Sequence, residues 1–457
     1  MTGPTPPKRA YVETYGCQMN ISDGELMEGL LAARGYEIVR TPEEADVVLV
    51  NTCAIREHAE TRVLGRVSQL NGLKRERPEL VIGVTGCMAQ RLGTTLLEQA
   101  PYVDLVMGPD GYRSLPDSLA RIAERRAVRG GKEAARLAVL DFDPAENYQG
   151  LEQLRADGPV AWVPIQRGCD HRCTFCIVPY VRGPEKNRSA TEVVTEVERL
   201  AERGVSEVTL LGQTVNSYRS GDVSFPELLR RVSRVDGIRR VRFTSPHPND
   251  VTPELVDVLA GEPAVCEHLH LPAQSGSDRT LKRMLRRYTV ADLLEKVDMV
   301  RRAVPDIALS TDIIVAFPGE TDGEFRDTID LMRAVRFDEA YTYKYSVRDG
   351  TPAARMPSAD FVDAAVAQAR LEELIEVSRG IQAEINASEV GRVEEVLVER
   401  PGRHAGQVLG RTRRNKAVAF EADSERIGAY THVELRHTTG ATFGGIEVGA
   451  ANAAAEA

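Results

Sequence analysis

Short apolar runs alternate with helical patterns along most of this chain, and that alternation restricts the fold more than any other feature. Over residues 9–125 the runs AYVET (Ala10–Thr14), DVVLV (Asp46–Val50), VIGVT (Val81–Thr85) and VDLVM (Val103–Met107) read as buried strands. Ser22, followed three residues later by Glu25, reads as a capping box that opens the first intervening helix. The βαβ rhythm predicts a small doubly wound sheet, mostly parallel, with helices on both faces.

Cysteines punctuate this pattern. Cys17 follows the first strand in YGCQMN, Cys53 the second in NTCAIR and Cys87 the third in TGCMAQ. The carboxyl ends of parallel strands share one edge of a sheet, which is where ligands bind. Three thiols far apart in sequence can therefore converge. A single buried cysteine is an ordinary core residue; three at equivalent places in successive βα units point to a shared ligand.

A second trio, Cys169, Cys173 and Cys176, is spaced Cx3Cx2C in GCDHRCTFCIVP. Thiolates are soft donors suited to iron–sulfur clusters or zinc. Three of them on a four-iron cluster leave one iron without a protein ligand. Structural zinc needs a fourth donor, and His171 inside the motif makes a Cys3His site the alternative. The seventh cysteine, Cys266, reads as a packing residue. The N-terminus MTGPTPPKR has no apolar core of a signal peptide, so a cytoplasmic chain with reduced cysteines is expected. No apolar run approaches the roughly 20 residues of a membrane helix.

Residues 1–8 read as a disordered leader, 126–154 as a charged linker and 451–457 as a disordered tail. Between 155 and 386 six further strand-like runs (VAWVPIQ, EVTLLGQ, RRVRFTS, CEHLHLP, DIALSTDIIVAF and EAYTYKYS) alternate with helices, predicting an open, partial (βα)6 barrel. Its active end lies at the strand carboxyl ends, where Gln213, Asn216, Gln274, Ser275 and Asp312 fall. Over 387–450 short alternating runs broken by Gly, Pro and Asn predict a small antiparallel β-barrel. The net charge of -10 gives no global nucleic-acid signature. A local run, Arg400, Arg403, Arg411, Arg413, Arg414 and Lys416, is nevertheless free of acidic residues.

GCDHRCTFCIVPYVRG resembles the signature of radical S-adenosylmethionine enzymes. With YGCQMN, NTCAIRE, TGCMAQR, LLGQTVNSY, TSPHP, HLPAQSGS and YKYSVRDGTPAA, nearly the whole chain resembles the methylthiotransferase family of that superfamily, in its tRNA-modifying branch. The resemblance implies a methylthiotransferase N-terminal domain, a radical S-adenosylmethionine core and a TRAM-type barrel. It implies two [4Fe-4S] clusters, an auxiliary one on Cys17, Cys53 and Cys87 and a radical-generating one on Cys169, Cys173 and Cys176. The open iron of the second would take S-adenosyl-L-methionine, which is cleaved to methionine and a 5′-deoxyadenosyl radical. Phe175, Gln213, Asn216, Gln274 and Ser275 are the expected contacts to that cofactor.

The implied substrate is N6-dimethylallyladenosine beside the tRNA anticodon, methylthiolated at C2. A loop nucleotide is cheaper to extrude than a paired one. Other branches act on a ribosomal protein or on threonylcarbamoyladenosine; a zinc-stabilised RNA-binding protein is the reading from another class. An electron donor protein and a sulfur source are implied partners, and a monomer is expected. Arg400–Lys416 and Lys282, Arg283, Arg286 and Arg287 would then face phosphates. Three departures from the family pattern stand out: Pro184–Arg188 replaces a stretch richer in Arg and Ser, Ala316 replaces a usual Gly, and Asp349 a common Pro.

Overall fold

The computed structural model describes residues 7–54, 57–129, 135–155 and 157–449. The expected tail, all of the leader except residues 7 and 8, and residues 130–134 of the expected linker lie outside that range. Packing divides the chain into two units. The first comprises the described residues of Met1–Ala156 with Gln166–His171 and Cys176–Arg188; the second comprises Asp157–Ile165, Arg172–Phe175 and the described residues from Ser189 onward.

In the first unit six strands, β1 (Arg9–Thr14), β2 (Glu37–Ile38), β3 (Val47–Thr52), β4 (Val81–Gly86), β5 (Leu105–Met107) and β6 (Leu137–Val139), form one sheet in the order β2-β1-β3-β4-β5-β6. Every pairing in it is parallel. Alternate residues of β3 serve opposite faces, as the strand period of two requires. Val47 and Leu49 pack with Leu26, Met27 and Leu31 of α1 (Gln18–Ala32) and with Leu115 and Leu119 of α5 (Leu115–Arg129). Val48 and Val50 pack with Val63, Val67 and Leu70 of α2 (Glu57–Glu76) and Met88 of α3 (Cys87–Leu92), with α4 (Thr95–Gln99) beside them. The chain leaves β1 toward β2 on one side and returns with β3 on the other. That reversal opens a crevice at the carboxyl ends of β1 and β3, the usual ligand position in such sheets.

Two expectations change. The first helix begins at Gln18, so Cys17 is its N-cap; Ser22 is buried inside the helix and its capping box with Glu25 does not form. The turn after β1 is simply shorter than the sequence pattern implied. The expected linker 126–154 is also structural in part. α5 runs to Arg129, and Leu137–Val139 joins the sheet as its parallel edge strand. Three apolar residues in charged surroundings give too weak a periodicity to be read in advance.

The second unit carries the six expected βα strands: β7 (Val160–Pro164), β10 (Glu207–Leu211), β13 (Arg240–Phe243), β14 (His268–His270), β15 (Ala308–Val315) and β16 (Glu339–Lys344). They form two parallel three-stranded sheets joined by the parallel bridge Val241–Val265, so neighbours follow chain order. Between β7 and β10 the chain makes β8 (Gln166–Arg167), α6 (Val178–Val181) and β9 (Lys186–Asn187), all within the first unit. Helices α7 (Ala190–Glu202), α8 (Phe225–Ser233), α9 (Pro253–Gly261), α11 (Val290–Ala303) and α12 (Asp322–Val335) cover the strands, with a small hairpin of β11 (Arg219–Ser220) and β12 (Val223–Ser224). A short helix, α10 (Asp278–Arg283), was not anticipated.

After α13 (Ala364–Glu389), strands β17 (Val393–Pro401), β18 (Gln407–Thr412), β19 (Ala417–Glu421), β20 (Tyr430–Thr438) and β21 (Thr442–Val448) close a barrel in the order β17-β18-β19-β21-β20. It is antiparallel as expected except at β19–β21, which pair in parallel. The barrel docks on the amino ends of the core strands. Arg240 Nη2 donates to Glu395, Arg242 to the Thr412 and Arg413 carbonyls, and the Tyr430 hydroxyl meets Ser206, just before β10. Among the described residues no helix is long and apolar enough to cross a membrane.

This docking corrects the reading of the basic run. Arg411 pairs with Glu399, Arg413 with Glu267, Arg414 with Glu389 and Glu394, and Lys416 with Asp338. Arg400 and Arg403 are the exposed members. Ion pairing across a fold interface and phosphate binding use the same residue types, so composition alone could not separate them.

Candidate functional site

Cys17, Cys53 and Cys87 ride on the loops that end β1, β3 and β4, and glycines let those loops press together. Gly16 has φ +129°, and a Cβ there would sit 2.6 Å from Cys53 Cβ; Gly86 has φ +91°, and its Cβ would sit 2.5 Å from the Thr52 carbonyl oxygen. Only glycine fits both conformation and space. Two asparagines lace the loops: Asn20 Nδ2 donates to Thr52 O at 2.8 Å, and Asn51 Nδ2 to Asn20 O at 2.7 Å.

The thiol of Cys17 lies 3.3 Å from Asn20 Oδ1 and is hydrogen-bonded to Cys53. That bond to Cys53, aided by the charge of Arg182 against the cost of burial, lowers its pKa to about 6. Its N-cap position favours a thiolate as well. Burial pushes the Cys87 thiol up, while Arg182 pulls it down.

A buried brace backs this trio. Asp23 is fully buried and accepts from Arg167 Nη1 at 2.6 Å and from Arg182 Nη2 at 2.8 Å. Burial alone would raise its pKa; the two guanidinium groups more than offset this and hold the carboxyl below the usual range. Arg182 Nε also donates to Cys87 Sγ at 3.2 Å. Its Nη1 is buried and has no hydrogen-bond partner among the described residues. Arg167 lies 4.6 Å above the ring of Tyr148, which stacks on Tyr112. Cys87 packs on Ile177 and Val181, residues that follow Cys176 closely in the chain.

In the second trio Cys169 donates its amide to Gly183 O at 3.2 Å in the first unit. Cys173, in the second unit, accepts from Arg286 Nη1 at 3.5 Å. Arg286 is buried, bonded also to Pro272 O and the Tyr288 hydroxyl, and Arg283 pairs with Asp360. Arg286 is turned inward and the part-exposed Arg283 is committed to Asp360; Lys282 and Arg287 are the exposed pair of that group. No disulfide joins any of the seven cysteines.

The remaining candidates divide. Phe175 is half-buried and packs against the cluster of Met284, Phe317 and Ala353. The amide of Asn216 is committed to His247, donating to its carbonyl at 2.9 Å and accepting from its amide at 2.7 Å. Ser275 Oγ accepts from the Ser277 amide and lies 3.4 Å from Thr328 Oγ1. Asp312 meets His270 Nε2 at 3.2 Å and accepts the Gln274 amide on its carbonyl. In contrast, the Gln213 and Gln274 side-chain oxygens are buried with no hydrogen-bond partner among the described residues. Gln274 is held at φ +66°, a left-handed conformation that costs energy and concentrates at functional sites.

Three soft thiols at a sheet switch point, backed by cationic N–H donors, fit an iron–sulfur cluster. The orphaned donor of Arg182 fits an acceptor that a bound group would bring. Known families match in the same arrangement: residues 9–108 match the Uncharacterized protein family UPF0004, 163–332 the Radical SAM superfamily and 387–440 the TRAM domain. The chain is 44% identical over 443 residues to the tRNA-2-methylthio-N(6)-dimethylallyladenosine synthase of Thermoanaerobacter sp. (strain X514), spanning 95% of this chain and 92% of that protein. The protein of the same description from Chloroherpeton thalassium is 42% identical, over 95% of each. The chain belongs to the methylthiotransferase family of radical S-adenosylmethionine enzymes.

The fold of this methylthiotransferase is shared with more distant radical enzymes. The radical S-adenosylmethionine methyltransferase TsrM from Kitasatospora setae superposes with a TM-score of 0.57 over 76% of this chain and 77% of its own, at 16% identity. The cobalamin-dependent radical enzyme OxsB gives 0.53 over 82% of this chain and 56% of its own, at 12% identity. What sequence reading missed in the methylthiotransferase is the brace of Asp23, Arg167 and Arg182, together with Arg286. Placing the helix start at Ser22 would have left Asp23 in an exposed first turn. Starting it at Cys17 turns Asp23 inward, and a buried acid calls for a cationic partner.

Proposed function

We propose that this chain methylthiolates C2 of N6-dimethylallyladenosine beside the anticodon of tRNA, replacing the C2 hydrogen with a methylthio group. The observation that carries the reading is the contact of the Cys17 and Cys53 thiols at the β1/β3 switch point, with Cys87 at the end of the next strand, in a chain 44% identical, over 95% of its length, to a synthase of that description.

Cys17, Cys53 and Cys87 would hold one [4Fe-4S] cluster and Cys169, Cys173 and Cys176 the other. With both clusters and S-adenosyl-L-methionine bound, the cofactors supply reductive cleavage of the sulfonium and a methylated sulfur for transfer. The protein's own part is binding and exclusion of water. The amide oxygens of Gln213 and Gln274, which have no partner among the described residues, suit a polar cofactor better than Asn216 and Ser275, whose groups are already engaged. Residues 9–125 would carry the auxiliary trio, 155–386 the radical trio, and 387–450 would help bind RNA. Arg400, Arg403, Lys282 and Arg287 are the exposed cations suited to phosphates. A monomer acting in the cytoplasm, supplied by an electron donor protein and a sulfur source, completes the reading.

The test is anaerobic reconstitution followed by nucleoside mass spectrometry on tRNA carrying or lacking the dimethylallyl group. The methylthio product should form only on the prenylated tRNA. Product on unprenylated or threonylcarbamoylated adenosine, or on a ribosomal protein alone, would overturn the substrate. Zinc in place of iron would overturn the enzyme.

A further inference from the structure

Arg182 is placed differently from an ordinary salt-bridge partner. It is 4% exposed, and its guanidinium joins three groups: Cys87 Sγ at 3.2 Å, Asp23 Oδ2 at 2.8 Å and Asn20 Oδ1 at 3.4 Å. Asp23 fixes the orientation, because its other oxygen is held by Arg167, which is itself stacked on Tyr148. One N–H is therefore aimed at a cysteine sulfur, and Nη1 is buried with no acceptor among the described residues. The second trio repeats the device, with buried Arg286 donating to Cys173.

We propose that Arg182, oriented by Asp23, is a positioning residue that sets the reduction potential of the cluster on Cys17, Cys53 and Cys87. This rests on the assignment of a cluster to that trio. A reduced cluster is the more negative state, so a cation and an N–H···S bond stabilise it and raise the potential; a nearby anion lowers it. Asp23 thus has two opposed effects. It aims the guanidinium, and its charge offsets part of the cation's pull.

The test uses the full chain carrying Cys169→Ala, Cys173→Ala and Cys176→Ala, so that one trio remains, with iron content and an EPR-monitored redox titration as readouts. Arg182→Gln should shift the potential to more negative values by an amount equal to about tenfold or more in the reduced-to-oxidised ratio, about 59 mV for a one-electron couple. Arg182→Lys should recover part of that shift, since an ammonium keeps the charge but cannot span Cys87 and Asp23 together. Asp23→Asn keeps an oxygen that can hold the Arg182 guanidinium and removes the anion, so its net shift should run the opposite way. If Arg182→Gln does not fold, the lysine and asparagine variants still carry the sign test. A purely structural role loosens the site in both and gives no opposition of sign. Shifts in one direction, or none, with iron retained near four per chain overturn the proposal. Absence of iron from the starting chain overturns the cluster assignment itself, and the proposal with it.

Discussion

The thiol of Cys17, at the N-cap of the first helix, is hydrogen-bonded to Cys53 at the end of β3. Two βα loops from either side of the sheet's topological switch point therefore meet through their cysteines. Cys87 joins from the next strand, held by Arg182. The glycines before Cys17 and Cys87 are what allow this approach.

Gly86→Ala should therefore cost one cluster and leave the other. Reconstituted protein should fall from about eight irons per chain toward four, read by iron analysis. Gly65→Ala, on an exposed position where a Cβ meets nothing within 4 Å, should keep full iron and gain up to about 1 kcal/mol of stability. Full iron in Gly86→Ala would contradict the packing argument.

Ala316 is held at φ +56°, the left-handed region that favours glycine. A left-handed alanine costs about 1–2 kcal/mol, partly offset by the greater freedom glycine has when unfolded. Ala316→Gly should raise stability by up to about 1 kcal/mol in urea denaturation with activity kept. A loss of stability would contradict the conformational account.

The basic run separates into two roles. Arg413 bonds Glu267 through two nitrogens and also caps the Pro263 and Val265 carbonyls. Arg413→Ala should lower the melting temperature, with a cost of about 1–3 kcal/mol from the groups left unpaired. Arg400→Glu and Arg403→Glu should leave melting unchanged and weaken tRNA binding, with a shallower salt dependence measured by titration at several salt concentrations. The reverse pattern would show that the two roles are exchanged.

Much of this was legible in the sequence, for definite reasons. Of the six core strands, β7, β10 and β15 are mainly apolar, as buried parallel strands should be, whereas β13, β14 and β16 interleave polar residues and were legible from their alternation with helical patterns. Both cysteine trios follow from spacing and strand ends. β2 and β6 were not legible, because two or three residues cannot establish a period. Nor was the parallel closure of the barrel, since β21 contains Gly444 and Gly445 and lacks a clear alternation. The brace of Asp23, Arg167 and Arg182 links residues far apart in sequence, and charges carry no mark of their partners. Gln213 and Gln274 could be told from Asn216 and Ser275 only by the bonds each side chain makes.

Glu320 gives a pH signature. Burial pushes its carboxyl up to about 7 from an ordinary 4.5, although Arg370 and the Ala316 amide pull it down. The folded state thus holds this proton more tightly than the unfolded chain. Its contribution to stability is fully present below about 4.5 and is lost as pH rises through about 7. The stability of the wild type minus that of Glu320→Gln should fall across this window, with a slope of at most about 1.4 kcal/mol per pH unit. A difference that rises with pH would contradict it.

The most direct measurement follows 5′-deoxyadenosine and methylthiolated nucleoside together in single cysteine variants. Replacing Cys169, Cys173 or Cys176 with Ala should abolish both products. Replacing Cys17, Cys53 or Cys87 should spare 5′-deoxyadenosine and lose the methylthio nucleoside. Methylthiolation at the wild-type rate by a Cys17, Cys53 or Cys87 variant would contradict the division of labour between the two trios.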